Sequence, residues 1–311
     1  MCRSSRVFLR NLDTIVNQFT QSGMAASGRS TPVPRVGNQA PSLVCLVLAL
    51  AWIPPTLQAG QEPARSTRAL TPEGVAQAME ERDTGRDSRG EMRMRLVDRQ
   101  GRVRERSLAI AALKGTGGRG DKTLVRFTFP NDIRGTSFLV WEHDDAADER
   151  FLYLPALGRV RRIAGQEKQD SFVGSDLSYE DIGGRDIADY TYAFASENAS
   201  WTASDGSKHP AWALESRAKD KDAEFPRSVS IVLKEQLVSV HADIYNRRDE
   251  RAKVFDVRRL ERVDGIWSAL ELVVANERDR TRTELSTTSL RYNVGLSDDD
   301  FSRRQLEQGA R

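Results

Sequence analysis

Residues 172–182, FVGSDLSYEDI, combine residue types that could do chemistry. Ser175 stands beside Asp176, and two further acids, Glu180 and Asp181, follow within the same stretch. The serine lacks the glycine spacing of a nucleophile elbow, in which a strained turn exposes the hydroxyl. Adjacent acids on a helix do not face each other, which disfavours a mechanism based on paired carboxylates. The stretch therefore predicts no catalytic residue and no enzymatic activity.

The same residues fit a structural role. Ser175 can accept from the free amides at the start of a short helix, and the neighbouring Asp176 suits the positive end of that helix. Gly183 and Gly184 are typical of the position just past a helix end. We therefore expect a short helical turn between strands, with Ser175 as its N-cap. Its apolar anchors are Phe172, Leu177, Tyr179 and Ile182.

The sequence shows no pattern typical of a metal site. His143, His209 and His241 are scattered without the spacing of metal ligands. The stretch EHDDAADE, residues 142–149, is rich in oxygen ligands, but it lacks the ordered spacing and turn glycine of a calcium loop. A solvated acidic hairpin tip is the favoured interpretation. The acids at 298–300 fit the first turn of a helix, so no metal or cofactor is expected.

An export leader is predicted at the N-terminus. The apolar run LVCLVLALAWI, residues 43–53, is shorter than the ~20 residues of a membrane span and has the length of a signal-peptide core. Cleavage is expected near Ala59 and Gly60, and Met24 is an alternative start. We therefore divide the chain into a leader (1–59), a flexible tether (60–70) and a single domain (71–311).

Cysteine and charge limit the function classes of the exported chain. Cys2 and Cys45 both fall in the leader, so the mature chain has no thiol or disulfide. Cys45 raises the alternative of a lipid anchor, although the apolar run continues past it. Beyond residue 59 the chain has 42 Lys and Arg against 44 Asp and Glu, a formal charge of −2. This balance leaves no electrostatic footprint for a nucleic acid.

The predicted secondary structure is mainly strand. TPEGVAQAMEERD, residues 71–83, begins like a helix with Thr71 as cap, and a second helix is expected from Ser297 onward. From residue 90 the hydrophobic period is two, as in EMRMRLVDRQGRVRERSLAI, which predicts a hairpin. About a dozen short alternating segments follow. The fold class is mainly β (α+β), with one large curved antiparallel sheet.

One strand face carries an unusual load of unbranched and flat apolar side chains, which adapt to irregular partners. The face is predicted to comprise Met92, Met94, Leu96, Val125, Phe127, Phe129, Phe138, Val140, Tyr153 and Trp212. Two interpretations stay open. The residues form an ordinary core under the helices, or they line a lipid-sized cavity, because two modest helices cover little of so wide a sheet.

The chain resembles the LolA-like outer-membrane lipoprotein-sorting proteins of Gram-negative bacteria, in the branch often encoded with RND or MMPL exporters. The matching stretches are SRGEMRMRLVDRQGRVRERSLAI (88–110), FTFPNDIRGTSFLVWE (127–142), FLYLPALGRVRRI (151–163), FVGSDLSYEDIGG (172–184), DYTY (189–192) and SDDDFSRRQLE (297–307). They follow the order of the family. Leu177 departs from the usual Phe, and RRDER at 247–251 replaces an Asp-Gly turn, but neither departure affects the fold.

The resemblance implies an unclosed antiparallel β-barrel with a helical lid over an apolar cavity for acyl chains. The stretch at 172–182 would then belong to the lid, with Ser175 as cap. It also implies a monomeric periplasmic carrier that takes a lipoprotein or envelope lipid from an inner-membrane RND or MMPL-type transporter, with transient contact to membrane surfaces. The cargo and the direction of transfer stay open, as do a sensor or scaffold with a filled core and a lipid hydrolase.

Overall fold

The computed structural model describes residues 70–116, 120–143, 146–184 and 186–308. The predicted leader, its cleavage point, both cysteines and residues 60–69 of the predicted tether lie outside the described residues. The predicted domain from residue 71 onward is described apart from three short gaps and its last three residues.

Thirteen strands dominate the described residues. They are β1 (Asp87–Val97), β2 (Val103–Leu113), β3 (Lys122–Phe129), β4 (Ser137–Trp141), β5 (Glu149–Leu154), β6 (Arg159–Arg162), β7 (Tyr190–Thr202), β8 (Lys208–Ala218), β9 (Arg227–Leu233), β10 (Ser239–Tyr245), β11 (Arg251–Val263), β12 (Ile266–Asn276) and β13 (Thr281–Tyr292). The alternating segments are therefore strands, as predicted, and most of them begin or end within a few residues of a glycine, proline or charged turn.

All the strands belong to one antiparallel sheet, in the order β6-β5-β4-β3-β2-β1-β13-β12-β11-β10-β9-β8-β7. Sequence neighbours pair along each half, and β1 pairs with β13 to join the two halves. Since β6 and β7 stand at opposite ends of this order, the sheet does not close into a barrel. The predicted large, unclosed antiparallel sheet is confirmed.

The first hairpin shows how local sequence sets the register. Val97 pairs with Val103 across the turn, and the carboxylate of Asp98 accepts the backbone amides of Gln100 at 2.9 Å and of Arg102 at 3.0 Å. Gly101 has a φ of 79°, which glycine adopts without steric cost. The Asp-to-Gly turn therefore fixes which residues of β1 and β2 lie opposite each other.

A helix precedes the sheet, as predicted. Helix α1 spans Pro72–Glu81, and the Thr71 hydroxyl accepts the Gly74 amide at 3.1 Å. Val75, Ala76 and Met79 are its buried residues. They pack on the face of β7, β8 and β9, in a cluster completed by Ile187, Tyr192, Leu214 and Val232.

The C-terminal helix is interrupted, which corrects the prediction of one continuous helix from Ser297. A 3-10 turn at Asp298–Phe301 comes first, and an α-helix follows at Arg303–Gln308. Between them Ser302 is extended, with ψ of 157°, so the helical hydrogen bonds cannot continue. Phe301 and Leu306 pack with Leu124, Leu139, Phe151 and Tyr153 on one face of β3, β4 and β5.

The largest apolar cluster lies on the opposite face of these strands. In β4 the alternation places Phe138 and Val140 in this cluster and Leu139 in the cluster under the C-terminal helix. We call the side that carries Met92, Met94, Phe127 and Phe138 the apolar face. A short helix, α2 (Tyr179–Gly183), packs on it; the C-terminal helix is accordingly α3.

Candidate functional site

The segment from Ser171 to Gly184, which we call the latch, covers the apolar face with short elements. A 3-10 turn at Phe172–Gly174 begins it and α2 ends it. The Phe172 amide donates to the Leu177 carbonyl at 2.7 Å, and Ser171 forms a lone bridge with Ser178. Val173 has a φ of 50°, an uncommon conformation for a β-branched residue. The latch is therefore a compact irregular segment, as its glycines and serines suggest.

Ser175 is not the cap of α2, which corrects the sequence prediction. Ser178 fills that role, since its hydroxyl accepts the Asp181 amide at 3.0 Å and the Asp181 carboxylate accepts the Ser178 amide at 2.8 Å. The Ser175 hydroxyl instead donates to the Phe172 carbonyl at 2.8 Å. The expected helix end is found, with Gly184 following α2 at a φ of 85°.

The latch inserts aromatic rings into the apolar face. The Phe172 ring lies 5.6 Å from that of Phe127 and 5.7 Å from that of Phe138. The Tyr179 ring lies 5.2 Å from that of Phe138 and 5.5 Å from that of Phe172. Phe172 is 1% exposed and Leu177 is fully buried. The latch side chains therefore fill the space directly over the apolar face.

Most of the predicted face residues are brought together here. The apolar cluster contains Met92, Met94, Leu96, Val125, Phe127, Phe138 and Val140, together with the latch residues Phe172, Leu177, Tyr179 and Ile182. These side chains come from β1, β3, β4 and the latch, so the predicted face and the predicted lid meet in one packed cluster.

Three predicted face residues lie elsewhere. Tyr153 packs under α3, because Leu152 takes the apolar face and alternation turns the next residue away. Trp212 stacks on Phe194 at 6.3 Å beside the α1 cluster, opposite to its neighbour Ala211. Phe129 is 50% exposed at the end of β3, where the register with β2 has shifted.

Polar contacts hold the middle of the latch to β13. The carboxylate of Asp176 accepts hydrogen bonds from the hydroxyl of Thr283 at 2.8 Å and from the hydroxyl of Thr281. The Asp176 amide in turn donates to the Thr283 hydroxyl at 2.9 Å. One carboxylate thus joins the latch to two threonines more than 100 residues away in the chain.

Cationic side chains hold the two ends of the latch. Arg106 of β2 donates to the Val173 carbonyl. Lys253 of β11 lies 3.5 Å from the buried carboxylate of Asp181. Arg150 of β5 donates to the carbonyls of Gly183 and Gly184, both at 3.0 Å. An arginine suits this position because the end of a helix presents free carbonyls and partial negative charge.

Arg150 also explains a glycine of the latch. The Arg150 side chain is 3% exposed, and its guanidinium forms an ion pair with Asp148 at 3.2 Å. A Cβ at Gly183 would overlap the Nε of Arg150, so a side chain at this position needs the arginine to move. Gly183 therefore serves close packing against Arg150, whereas Gly184 ends the helix.

Sequence reasoning missed these cationic contacts. Arg106, Arg150 and Lys253 stand on the apolar face, and the next residue along each strand on that face is hydrophobic: Leu108, Leu152 and Phe255. The sequence does show a charged residue where the alternation predicts a buried hydrophobic one, and a buried charge needs a partner. The identity of that partner was not available from spacing.

Two polar clefts flank the latch. One, of about 630 Å³, is lined by latch residues including Asp176 and Ser178 and by turn residues including Asn246 and Arg278. The other, of about 420 Å³, lies beside Arg150, Lys168 and Tyr190. Burial and the nearby Arg150 lower the pKa of Lys168. The margins of the latch are thus wet and charged, whereas its underside is apolar.

The histidines do not gather into a site. Within the described residues no group of three or more His, Cys, Asp or Glu is arranged to hold a metal ion. His143 lies 3.4 Å from Glu149. His241 lies between Asp256, at 3.4 Å, and Asp243, at 3.5 Å, on the face opposite the latch. Hydrogen bonds to these aspartates raise the pKa of His241 to about 9.

The helices of the described part of the chain are short. None of them combines the length and the apolar character that a membrane-spanning helix needs. The longest, α1, has ten residues.

The fold places the chain in the LolA-like class. A LolA superfamily protein from Nitrosomonas europaea aligns with a TM-score of 0.56 at 14% identity, over 76% of this chain and all of that one. A domain from Vibrio parahaemolyticus, assigned by name to outer membrane lipoprotein sorting, is 30% identical with a TM-score of 0.67, over 76% of this chain and 98% of that one.

Closer sequence similarity identifies the family. A DUF1329 family protein from Desulfovibrio piger is 34% identical with a TM-score of 0.67, over 75% of this chain and 96% of that one. The sequence profile of a family described as uncharacterized protein matches residues 119–308. The search of curated proteins finds no match. The chain belongs to the DUF1329 family, and its fold is LolA-like.

Proposed function

We propose that the protein is a periplasmic carrier, without catalysis, which binds acyl chains of a lipoprotein or envelope lipid on the apolar face. It takes this cargo from an inner-membrane RND or MMPL-type transporter and carries it towards the outer membrane, after its leader is cleaved near Ala59. The name of the related Vibrio domain supports transport of this kind. The observation that carries the proposal is the construction of the latch.

The latch is suited to leave the face. Its underside packs on the sheet through the side chains of Phe172, Leu177 and Ile182, whereas polar contacts hold its middle and its ends. Water can replace these contacts when the latch leaves, and a hydrogen bond to a charged group contributes about 1.5–3 kcal/mol net, well below its strength in an apolar medium. The exposed apolar face would then be unfavourable in water. Bound acyl chains would cover the apolar face again after the latch has left it.

The face also has the right chemistry for a variable lipid. Methionine side chains, from Met92 and Met94, are flexible and adapt their shape to different apolar partners. Phe127 and Phe138 add broad flat surfaces. Such a surface accepts acyl chains of different length and saturation without specific polar contacts.

The proposal is tested by native mass spectrometry of protein purified from the periplasm without detergent, together with thermal unfolding. A carrier retains lipid in stoichiometric amount. Phe127→Glu places a carboxylate on the apolar face, and we expect lipid to be lost while the sheet stays folded with the latch displaced. Thr128→Glu is the matched control, because the neighbouring residue is exposed, and it should retain the lipid.

Two other results would contradict lipid binding on the apolar face. A sensor or scaffold with a permanently filled core predicts that Phe127→Glu unfolds the whole protein, because a packed core does not accept a charge. Phe127→Glu protein that stays folded and still carries lipid would show that the cargo binds elsewhere.

A further inference from the structure

Six successive strands, β1 to β6, bring three of their turns to one edge of the sheet. The strands are antiparallel neighbours, so the turn after β1, the turn after β3 and the turn after β5 all lie at the same edge. These turns and their flanking residues are 98–105, 129–136 and 155–162. We call this surface the arginine rim. The remaining turns at the same edge are 219–226, 246–250 and 277–280.

The arginine rim is strongly basic. It contains seven arginines against three acids, a formal charge of +4, whereas the other turns at the same edge sum to −1. Two of its acids are already engaged in ion pairs, Asp98 with Arg102 and Glu105 with Arg95. Four exposed arginines of the rim form no ion pair with a carboxylate of the described residues: Arg99, Arg104, Arg134 and Arg159.

The rim also exposes large apolar side chains. Val103 is 42% exposed, Phe129 is 50% exposed and Leu157 is 55% exposed. These are three of the five exposed large hydrophobic residues in the described part of the chain, and they come from all three turns of the rim. Side chains of this kind interleaved with arginines recur where a protein meets an anionic lipid surface, because the cations attract headgroups and the apolar tips enter the interface.

We infer that the arginine rim docks the protein on the surface of an anionic lipid bilayer. Phe129 and Leu157 enter the interface between the headgroups, and Arg104 and Arg159 contact lipid phosphates. An acidic protein partner would also match the charge, but the exposed apolar tips on three separate turns favour a surface that deforms around them. The inference deepens the proposed function, since a lipid carrier must meet membranes.

The test is flotation of the protein purified from the periplasm with vesicles of phosphatidylglycerol and phosphatidylcholine, and with vesicles of phosphatidylcholine alone. We expect binding to the anionic vesicles that weakens with salt. Each arginine at such a surface contributes about five-fold in affinity. The double variant Arg104→Glu, Arg159→Glu should therefore bind at least about 25-fold more weakly.

Matched controls distinguish the effect of the arginine rim on binding from the effects of net charge and of exposed hydrophobic residues elsewhere. Arg248→Glu with Arg278→Glu changes the charge equally, on exposed turns at the same edge, and should leave binding within about two-fold. Leu157→Ser should weaken binding, whereas Val294→Ser, also exposed but outside the rim, should not. Circular dichroism confirms that each variant is folded.

Several outcomes would overturn the inference. They are equal binding to neutral and anionic vesicles, equal loss in the control pair, and unchanged binding of Leu157→Ser. Binding to polyglutamate beads without binding to vesicles would assign the rim to an acidic protein instead. The vesicle assay uses delipidated protein and needs no cargo. A negative result in it would therefore not contradict lipid retention, and absence of retained lipid would not contradict vesicle binding.

Discussion

Replacing Lys253 with methionine should loosen the latch while leaving the apolar side chains beneath it unchanged. The Lys253 side chain is 11% exposed, the Asp181 side chain is 1% exposed, and the ammonium lies 3.5 Å from the carboxylate. Methionine keeps a long apolar stem and removes the charge. Removing one partner of a buried ion pair costs about 3–5 kcal/mol, because the other charge stays buried.

The expected loss is smaller here, about 2 kcal/mol in the free energy of latch closure. Asp181 keeps the Ser178 amide as a donor at 2.8 Å, and it stays in the first turn of α2, where the helix dipole favours a carboxylate. The N–O distance of 3.5 Å is also longer than that of a strong charged hydrogen bond. Both facts reduce the share of stability that depends on Lys253.

Hydrogen exchange measured by mass spectrometry reports this local opening. A loss of about 2 kcal/mol raises the open population of the latch about 30-fold, and exchange of its amides accelerates equally. The Phe172 amide, bonded to the Leu177 carbonyl, is one of the reporters. Amides of β12 should keep their wild-type rates, because the sheet does not unfold when the latch opens.

The control is Arg258→Met, which removes a cation from the same strand. Arg258 is 61% exposed and pairs with Asp256 at 2.7 Å on the opposite face. An exposed pair of this kind contributes ~0–1 kcal/mol, so latch exchange should not change. Unchanged latch exchange in Lys253→Met, or equal acceleration across the whole sheet, would refute the assignment of Lys253 as a specific tether of the latch.

Two further predictions concern His241 and Gly183. The pKa of His241 is raised from 6.5 to about 9 by its two aspartates, so its contribution to stability is present below pH 6.5 and is lost as the pH rises towards 9. In urea, the free energy of unfolding of wild type should exceed that of His241→Gln by about 1–2 kcal/mol at pH 6, a range reduced because the His241 side chain is partly exposed, and the two values should converge at pH 10. A difference that stays constant with pH would contradict the raised pKa. Gly183→Ala should destabilise by about 1–3 kcal/mol, because its Cβ overlaps the Arg150 guanidinium. Gly183 has no positive φ, so alanine adds no backbone strain there, and a loss that persists in an Arg150→Ala background would remove the role of Arg150.

Local signals predicted the elements well. Thr71 caps α1, the Asp98 turn sets the first hairpin, and alternation located the strands. The prediction failed where two local signals competed. Ser175 and Ser178 are both serines before an acid-rich stretch, but only Ser178 has an acid three residues later that can return a hydrogen bond to its amide, which is the capping-box pattern. That pattern was available from sequence and was overlooked.

The two-residue alternation along a strand is not enough to assign side chains to one face of the sheet. Alternation states that Leu152 and Tyr153 point to opposite sides, but it does not say which side is which. Tyr153 was assigned to the wrong face for this reason. A register shift next to Phe129 has the same effect, because one irregular pair ends the regular alternation of buried and exposed positions.

The strands, the turns and the antiparallel class follow from side-chain periodicity and from residues that are neighbours in the chain. The face that the latch covers and the contacts that hold it there depend on how the sheet folds. Asp176 meets Thr283 across 107 positions, and Asp181 meets Lys253 from a different strand. Such contacts form because the sheet brings distant strands together, and no local pattern encodes the partner of a buried charge.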